Sequence, residues 1–118
     1  MKIEGEAKLL RIFIGEADKI SHTPVYEKIV TEARLKNLAG ATVYKGIMGY
    51  GGNSRIHSAK ILRLSEDLPL VIEIVDEGKK IEEFIPTVEK IFEDANCGGL
   101  ITIEKAQIIK YTSTKKQI

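Results

Sequence analysis

The chain has 118 residues, a formal net charge of +1 from 18 basic and 17 acidic residues, and no tryptophan. That length makes one domain able to bury a core without staples, and the balanced charge removes any general pull toward nucleic acid or an anionic membrane. A single cysteine, Cys97, excludes an internal disulfide and a cysteine-based zinc site.

Aromatic residues are 6% of the chain, so stacking surfaces for single strands are scarce and the core has to be aliphatic. No segment has the length and apolarity of a signal peptide or a membrane span. A cytoplasmic protein with no nucleic-acid partner and no membrane insertion is expected.

Residues 7–15 (AKLLRIFIG) set Leu10, Ile12 and Ile14 on one face and Leu9 and Phe13 on the other, which suits a strand covered on both sides. A polar connection then leads to Thr23-Pro24, which reads as a helix start: a hydroxyl N-cap followed by proline in the first turn. Tyr26, Ile29, Val30 and Ala33 recur at helical spacing. They predict an amphipathic helix of about 14 residues, ended by Gly40. Residues 41–48 form a second strand, 49–59 a loop, and 60–64 begin another strand. Residues 68–76 are the most strand-like run, with Pro69 near its start, where proline is tolerated.

From Asp76 the period becomes helical. Ile81, Phe84, Ile85, Val88, Ile91 and Phe92 make one apolar stripe, and Pro86 should kink it by removing a donor. Gly98-Gly99 is a turn, 100–103 and 106–111 are two further short strands, and 112–118 is a polar tail. The order predicts a single α+β domain over 1–118 with its core at about 7–111. It is a ferredoxin-like βαββαβ sandwich: a four-stranded antiparallel sheet, two helices on one face, and an extra short C-terminal strand.

The candidate chemistry begins where a β-branched strand runs into Gly46, Gly49, Gly51 and Gly52. Without Cβ atoms such a stretch turns sharply and can present consecutive N–H groups to an anion; the same pattern also makes an ordinary hairpin loop. It is not a dinucleotide fingerprint, because Ser54 stands where the third glycine is required, and there is no phosphate-loop lysine motif. Arg55, His57 and Lys60 follow closely, offering a donor fork and a pH-responsive ring, or simply a solvated loop. His22 and His57 lack metal-ligand spacing, so no metal is expected. Glu73 interrupts an apolar strand. If buried it needs a donor from a neighbouring chain, backbone amides or a ligand; otherwise it sits at a sheet edge facing water. Cys97 reads as a small buried or turn residue. With no nucleophile elbow and no carboxylate pair in distinct environments, the chain is not expected to be an enzyme; His57 is its only obvious general base.

Gly40-x-Thr-Val-x-x-Gly-Ile-x-Gly-Tyr-Gly, then Arg55-x-His57-Ser58, Leu62-Arg-Leu-Ser-x-Asp-Leu-Pro69 and Val71-Ile-Glu-Ile-Val-Asp76 carry a resemblance. Over about residues 7–111 the chain resembles a widespread family of short, uncharacterised proteins allied to the nitrogen-regulatory PII signalling proteins. The resemblance implies a homotrimer that binds an adenine nucleotide (AMP, ADP or ATP) in clefts between subunits. It implies signalling through loop 49–59 to an unknown protein partner, such as a membrane transporter or an enzyme. Thr42, Gly49 and Gly51 match cleft positions, Glu73 and Val75 match positions beside the adenine, and Gly98-Gly99 falls at the phosphate loop. With Tyr50 and Arg55 these complete the expected nucleotide set. Gly52, Asn53, Ser54 and His57 form the expected partner-binding loop. The chain departs from PII proteins at Asn96-Cys-Gly-Gly99, where their lysine-bearing phosphate loop stands. It also lacks their glutamine after the glycine pair and a recognisable modified tyrosine. Uridylylation and 2-oxoglutarate sensing are therefore not implied, and Arg55, Lys105 or another base replaces the lost phosphate lysine. The alternative is a trimeric protein-binding scaffold indifferent to nucleotide.

Overall fold

The computed structural model describes residues 6–51 and 67–114. In chain order these form β1 (Ala7–Gly15), the two-residue strands β2 (Lys19–Ile20) and β3 (Thr23–Pro24), α1 (Val25–Leu35), β4 (Thr42–Lys45), β5 (Pro69–Glu77), α2 (Gly78–Ala95) and β6 (Leu100–Ala106). The main sheet has the order β4-β5-β1-β6 with every neighbour antiparallel. Numbered among themselves its strands run second, third, first, fourth, which is the ferredoxin-like arrangement read from the sequence. The strand expected at 60–64 lies outside the described residues.

Alternation along β1 and β5 builds the core. Leu10, Ile12 and Ile14 stand opposite Ile74, Ile72 and Leu70 in the register, and all six are buried. Both helices close over that face: α1 contributes Val25, Ile29 and Ala33, and α2 contributes Ile81, Phe84, Val88 and Ile91. Each large apolar side chain so buried contributes about 1.5–3 kcal/mol. The stripe on α2 stays continuous through Pro86, because the core face is set by period rather than by any one backbone bond.

The expected boundaries shift in four places. Helix α1 has 11 residues and its N-cap is Pro24, with no side-chain cap bond; Thr23 and Pro24 instead pair with Ile20 and Lys19 in a small hairpin. The first helical amide, that of Val25, donates to the Asp18 carbonyl at 2.9 Å, so the hairpin replaces the hydroxyl cap. The helix ends at Leu35, well before Gly40: Lys36 is its C-cap, Asn37 is left-handed at φ +61°, and the Leu38 amide returns to the Ala33 carbonyl at 3.0 Å. The second strand keeps only Thr42–Lys45. Finally, Leu100–Ala106 is one strand, and residues 107–114 are irregular, so the extra C-terminal strand is absent.

Candidate functional site

The face of the sheet away from the helices is where polar chemistry collects. Thr42, Glu73, Arg11 and Thr102 lie in one row across β4, β5, β1 and β6. Glu73 is on an inner strand and its side chain is 29% exposed, so the edge-strand reading is wrong. Its donors come from the same chain. Arg11 Nε donates to Glu73 Oε2 at 2.8 Å, Tyr44 Oη donates to the same oxygen at 2.7 Å, and Arg11 Nη1 reaches Glu104 Oε1 at 2.5 Å. The bond from Arg11, then that from Tyr44, holds the Glu73 carboxyl below the usual carboxylate range. The Tyr44 phenol is raised, because ionising it would forfeit its bond to Glu73 and set two anions together.

Beside this row a cleft of about 450 Å³ opens among residues 39–42, Glu73, Val75, Ile108, Lys110 and Tyr111. Its rim is anchored by Asp76, the one charged side chain among the described residues that is fully buried. Asp76 Oδ2 accepts from the Ala39 amide at 2.9 Å and Oδ1 from the Glu77 amide at 2.7 Å. The Lys80 ammonium stands 3.6 Å from Oδ2 and donates to the Asn37 carbonyl at 2.7 Å. From the other side, Tyr111 Oη donates to the Ala39 carbonyl at 3.1 Å.

A second hollow of about 250 Å³ lies at the opposite end of the sheet. Phe13, Tyr50, Gly51, Asp67, Pro69, Gly98, Gly99 and Leu100 are among its walls. Gly49, at φ +155°, packs against the Pro69 ring, where a Cβ would come within 3.1 Å of Cγ. A Cβ on Gly99 would meet the Phe13 carbonyl oxygen and the Phe92 ring at 2.7 Å. Close packing therefore accounts for these two glycines. Cys97 is half-buried beside the turn, and burial pushes its thiol up.

Residues 7–108 match the model of the family DUF190, described as an uncharacterized ACR. The chain belongs to this family. A UPF0166 protein of Aquifex aeolicus is 37% identical over 102 residues, covering 86% of this chain and 92% of its own. A UPF0166 protein of Methanocaldococcus jannaschii is 37% identical over 105 residues, covering 89% and 94%. Among solved structures, CPII from Thiomonas intermedia K12, a nitrogen regulatory PII-like protein bound to ADP, AMP and bicarbonate, superposes with a TM-score of 0.64. It shares 15% identity, over 90% of this chain and 91% of CPII. The fold of this DUF190 chain is PII-like.

The expected nucleotide residues of the DUF190 chain divide into two sets. Thr42, Glu73 and Val75 meet at the cleft, and Tyr50, Gly51, Gly98 and Gly99 meet at the second hollow. Val75 and Pro69 are six steps apart on β5, roughly 20 Å, so one subunit does not join the sets. Arg55, and Gly52, Asn53, Ser54 and His57 of the expected partner loop, lie outside the described residues. Lys105 lines neither hollow. Sequence reasoning missed Asp76, Lys110 and Tyr111. Asp76 looked like punctuation between strand and helix, and the other two sat in the segment 106–111, expected to be a short strand.

Proposed function

We propose that this protein is a PII-like regulator that binds an adenine nucleotide at clefts between the subunits of a homotrimer and passes the bound state to a protein partner through loop 49–59. The observation that carries the reading is the division of the expected residues between opposite ends of one sheet. In a cyclic trimer each subunit presents different surfaces to its two neighbours. The Thr42–Val75 end of one copy can then face the Gly98–Gly99 end of the next. The cleft has a size suited to a small ligand, and its mixed lining offers apolar contact with a few polar groups. The ADP and AMP held by CPII support an adenine ligand.

Within the cleft Thr42 and Val75 contact the base and ribose. Glu73, already engaged by Arg11 and Tyr44, shapes that surface as a hydrogen-bonded anion. Gly51 and the Gly98-Gly99 turn of the neighbour approach the phosphates through their backbone, with Arg55 as an added cation. Binding shifts the loop toward one arrangement and so changes the surface offered to the partner. Micromolar affinity, about −7 to −8 kcal/mol, is expected. Calorimetric titration of ATP, ADP and AMP, with light scattering for the trimer mass, tests the reading. Absence of heat and of thermal shift with all three nucleotides refutes it.

A nucleotide-independent scaffold is the second reading, favoured by the exposed apolar side chains of Ile47 (94%), Met48 (71%) and Tyr50 (69%). Clustered exposure of this kind marks protein-binding surface. It predicts partner capture that is unchanged by adding or removing nucleotide.

A further inference from the structure

Residues 107–114, beyond β6, belong to no strand, yet Ile108, Lys110 and Tyr111 help to line the cleft. A single residue, Ala39, holds that wall in place. The Ala39 carbonyl accepts from Tyr111 while the Ala39 amide donates to buried Asp76, so the wall is fastened through the rim to the interior. Lys110 is the one cation among the described residues lining the cleft, and it has no carboxylate partner among them. Glu73, the only carboxylate among the described residues of that lining, is already bonded by Arg11 and Tyr44. An unpaired ammonium beside an occupied carboxylate selects a ligand that brings its own negative charge.

We infer that Lys110 pairs with a phosphate of the nucleotide in this cleft, and that Tyr111 is the positioning residue that holds the Lys110 wall against Ala39. The inference rests on the nucleotide reading above and assigns the charge selectivity of that site to the irregular C-terminal segment. Ile108 and Val75, both in the lining, supply apolar surface for the ring of the same ligand.

Calorimetric titration of AMP and of adenosine into wild type, Lys110→Gln and Tyr111→Phe tests it, with melting curves taken without ligand. Wild type is expected to prefer AMP. Lys110→Gln should weaken AMP roughly five- to tenfold and leave adenosine unchanged. Tyr111→Phe should weaken both ligands, by roughly threefold for adenosine and more for AMP, with little change in melting temperature. A merely structural Lys110 would not split the two ligands, so equal weakening of both, or none, overturns its role while leaving the nucleotide reading standing. Unchanged affinities in Tyr111→Phe overturn the positioning role. Wild type that binds neither ligand removes the nucleotide reading itself and this inference with it.

Discussion

Replacing Asp76 probes how the cleft is held to the core. In Asp76→Ala the part-buried amides of Ala39 and Glu77 lose an acceptor that is itself fully buried. Each stranded donor costs about 1–3 kcal/mol. Lys80, with 28% of its side chain exposed, adds little because water already screens it. The total is about 2–6 kcal/mol, a large part of the roughly 5–15 kcal/mol that holds a domain together. For a chain of this size that lowers the melting temperature by roughly 10–20 °C. Asp76→Asn keeps the shape and one acceptor but turns an amide N–H toward the other donor, so about 1.5–3 kcal/mol is expected. Urea unfolding with an unchanged slope is the assay, since a constant slope shows that the midpoint reports stability alone. If Asp76→Asn unfolds within about 0.5 kcal/mol of wild type, the carboxylate does not hold Ala39 and the reasoning fails.

Glu73 gives a pH signature. Its folded pKa is depressed, chiefly by Arg11 and then by Tyr44, so its contribution is present above the ordinary carboxylate pKa and is lost as pH falls through the folded value. Urea midpoints between about pH 6 and about pH 3 should fall less steeply in Glu73→Gln than in wild type. Gly99→Ala should destabilise by about 1–3 kcal/mol, because Phe13 and Phe92 leave no room for a Cβ. Gly40→Ala, with open space around that position, should stay within about 0.5 kcal/mol in the same melts. Leu100→Glu places a charge on the open sheet face at a half-exposed position. It should leave the melting of the subunit fold intact and, if the proposed trimer forms through this face, reduce the mass seen by light scattering.

The sequence made the core legible because that part of the fold is a matter of period. Leu10, Ile12 and Ile14 alternate, and Ile81, Phe84, Val88 and Ile91 follow a helix, whatever the loops do. What period cannot encode was misread. The β2–β3 hairpin has two residues a side, too few to alternate, and it took over the capping role assigned to Thr23. Asn37 ended α1 before Gly40 because a short amide side chain also tolerates the left-handed conformation. At the site, Thr42, Glu73 and Val75 were placed together by their matching positions in the resemblance. Donors for Glu73 were sought in a neighbouring chain, backbone amides or a ligand, and not in Arg11, because Arg11 lies 62 residues away and is brought opposite only by strand register. Lys110 and Tyr111 went unnoticed for the same reason: their neighbours are chosen by how the chain end packs, which no local pattern records.

Tyr44, Glu73, Arg11 and Glu104 draw a line of charge that touches all four strands in turn. Two carboxylates and one guanidinium leave that line with a residual negative sign, flanked on either side by Leu9, Val71, Phe13 and Val75. Any body laid on this face meets an oblique ionic line with apolar side chains beside it, Leu9 opposite Glu104 and Val71 opposite Tyr44, and alignments that set anion on hydrocarbon are disfavoured. A misplaced copy shifted by two residues would set a carboxylate against a valine. The sheet thus dictates the angle at which it can be covered, before any shape complementarity comes into force.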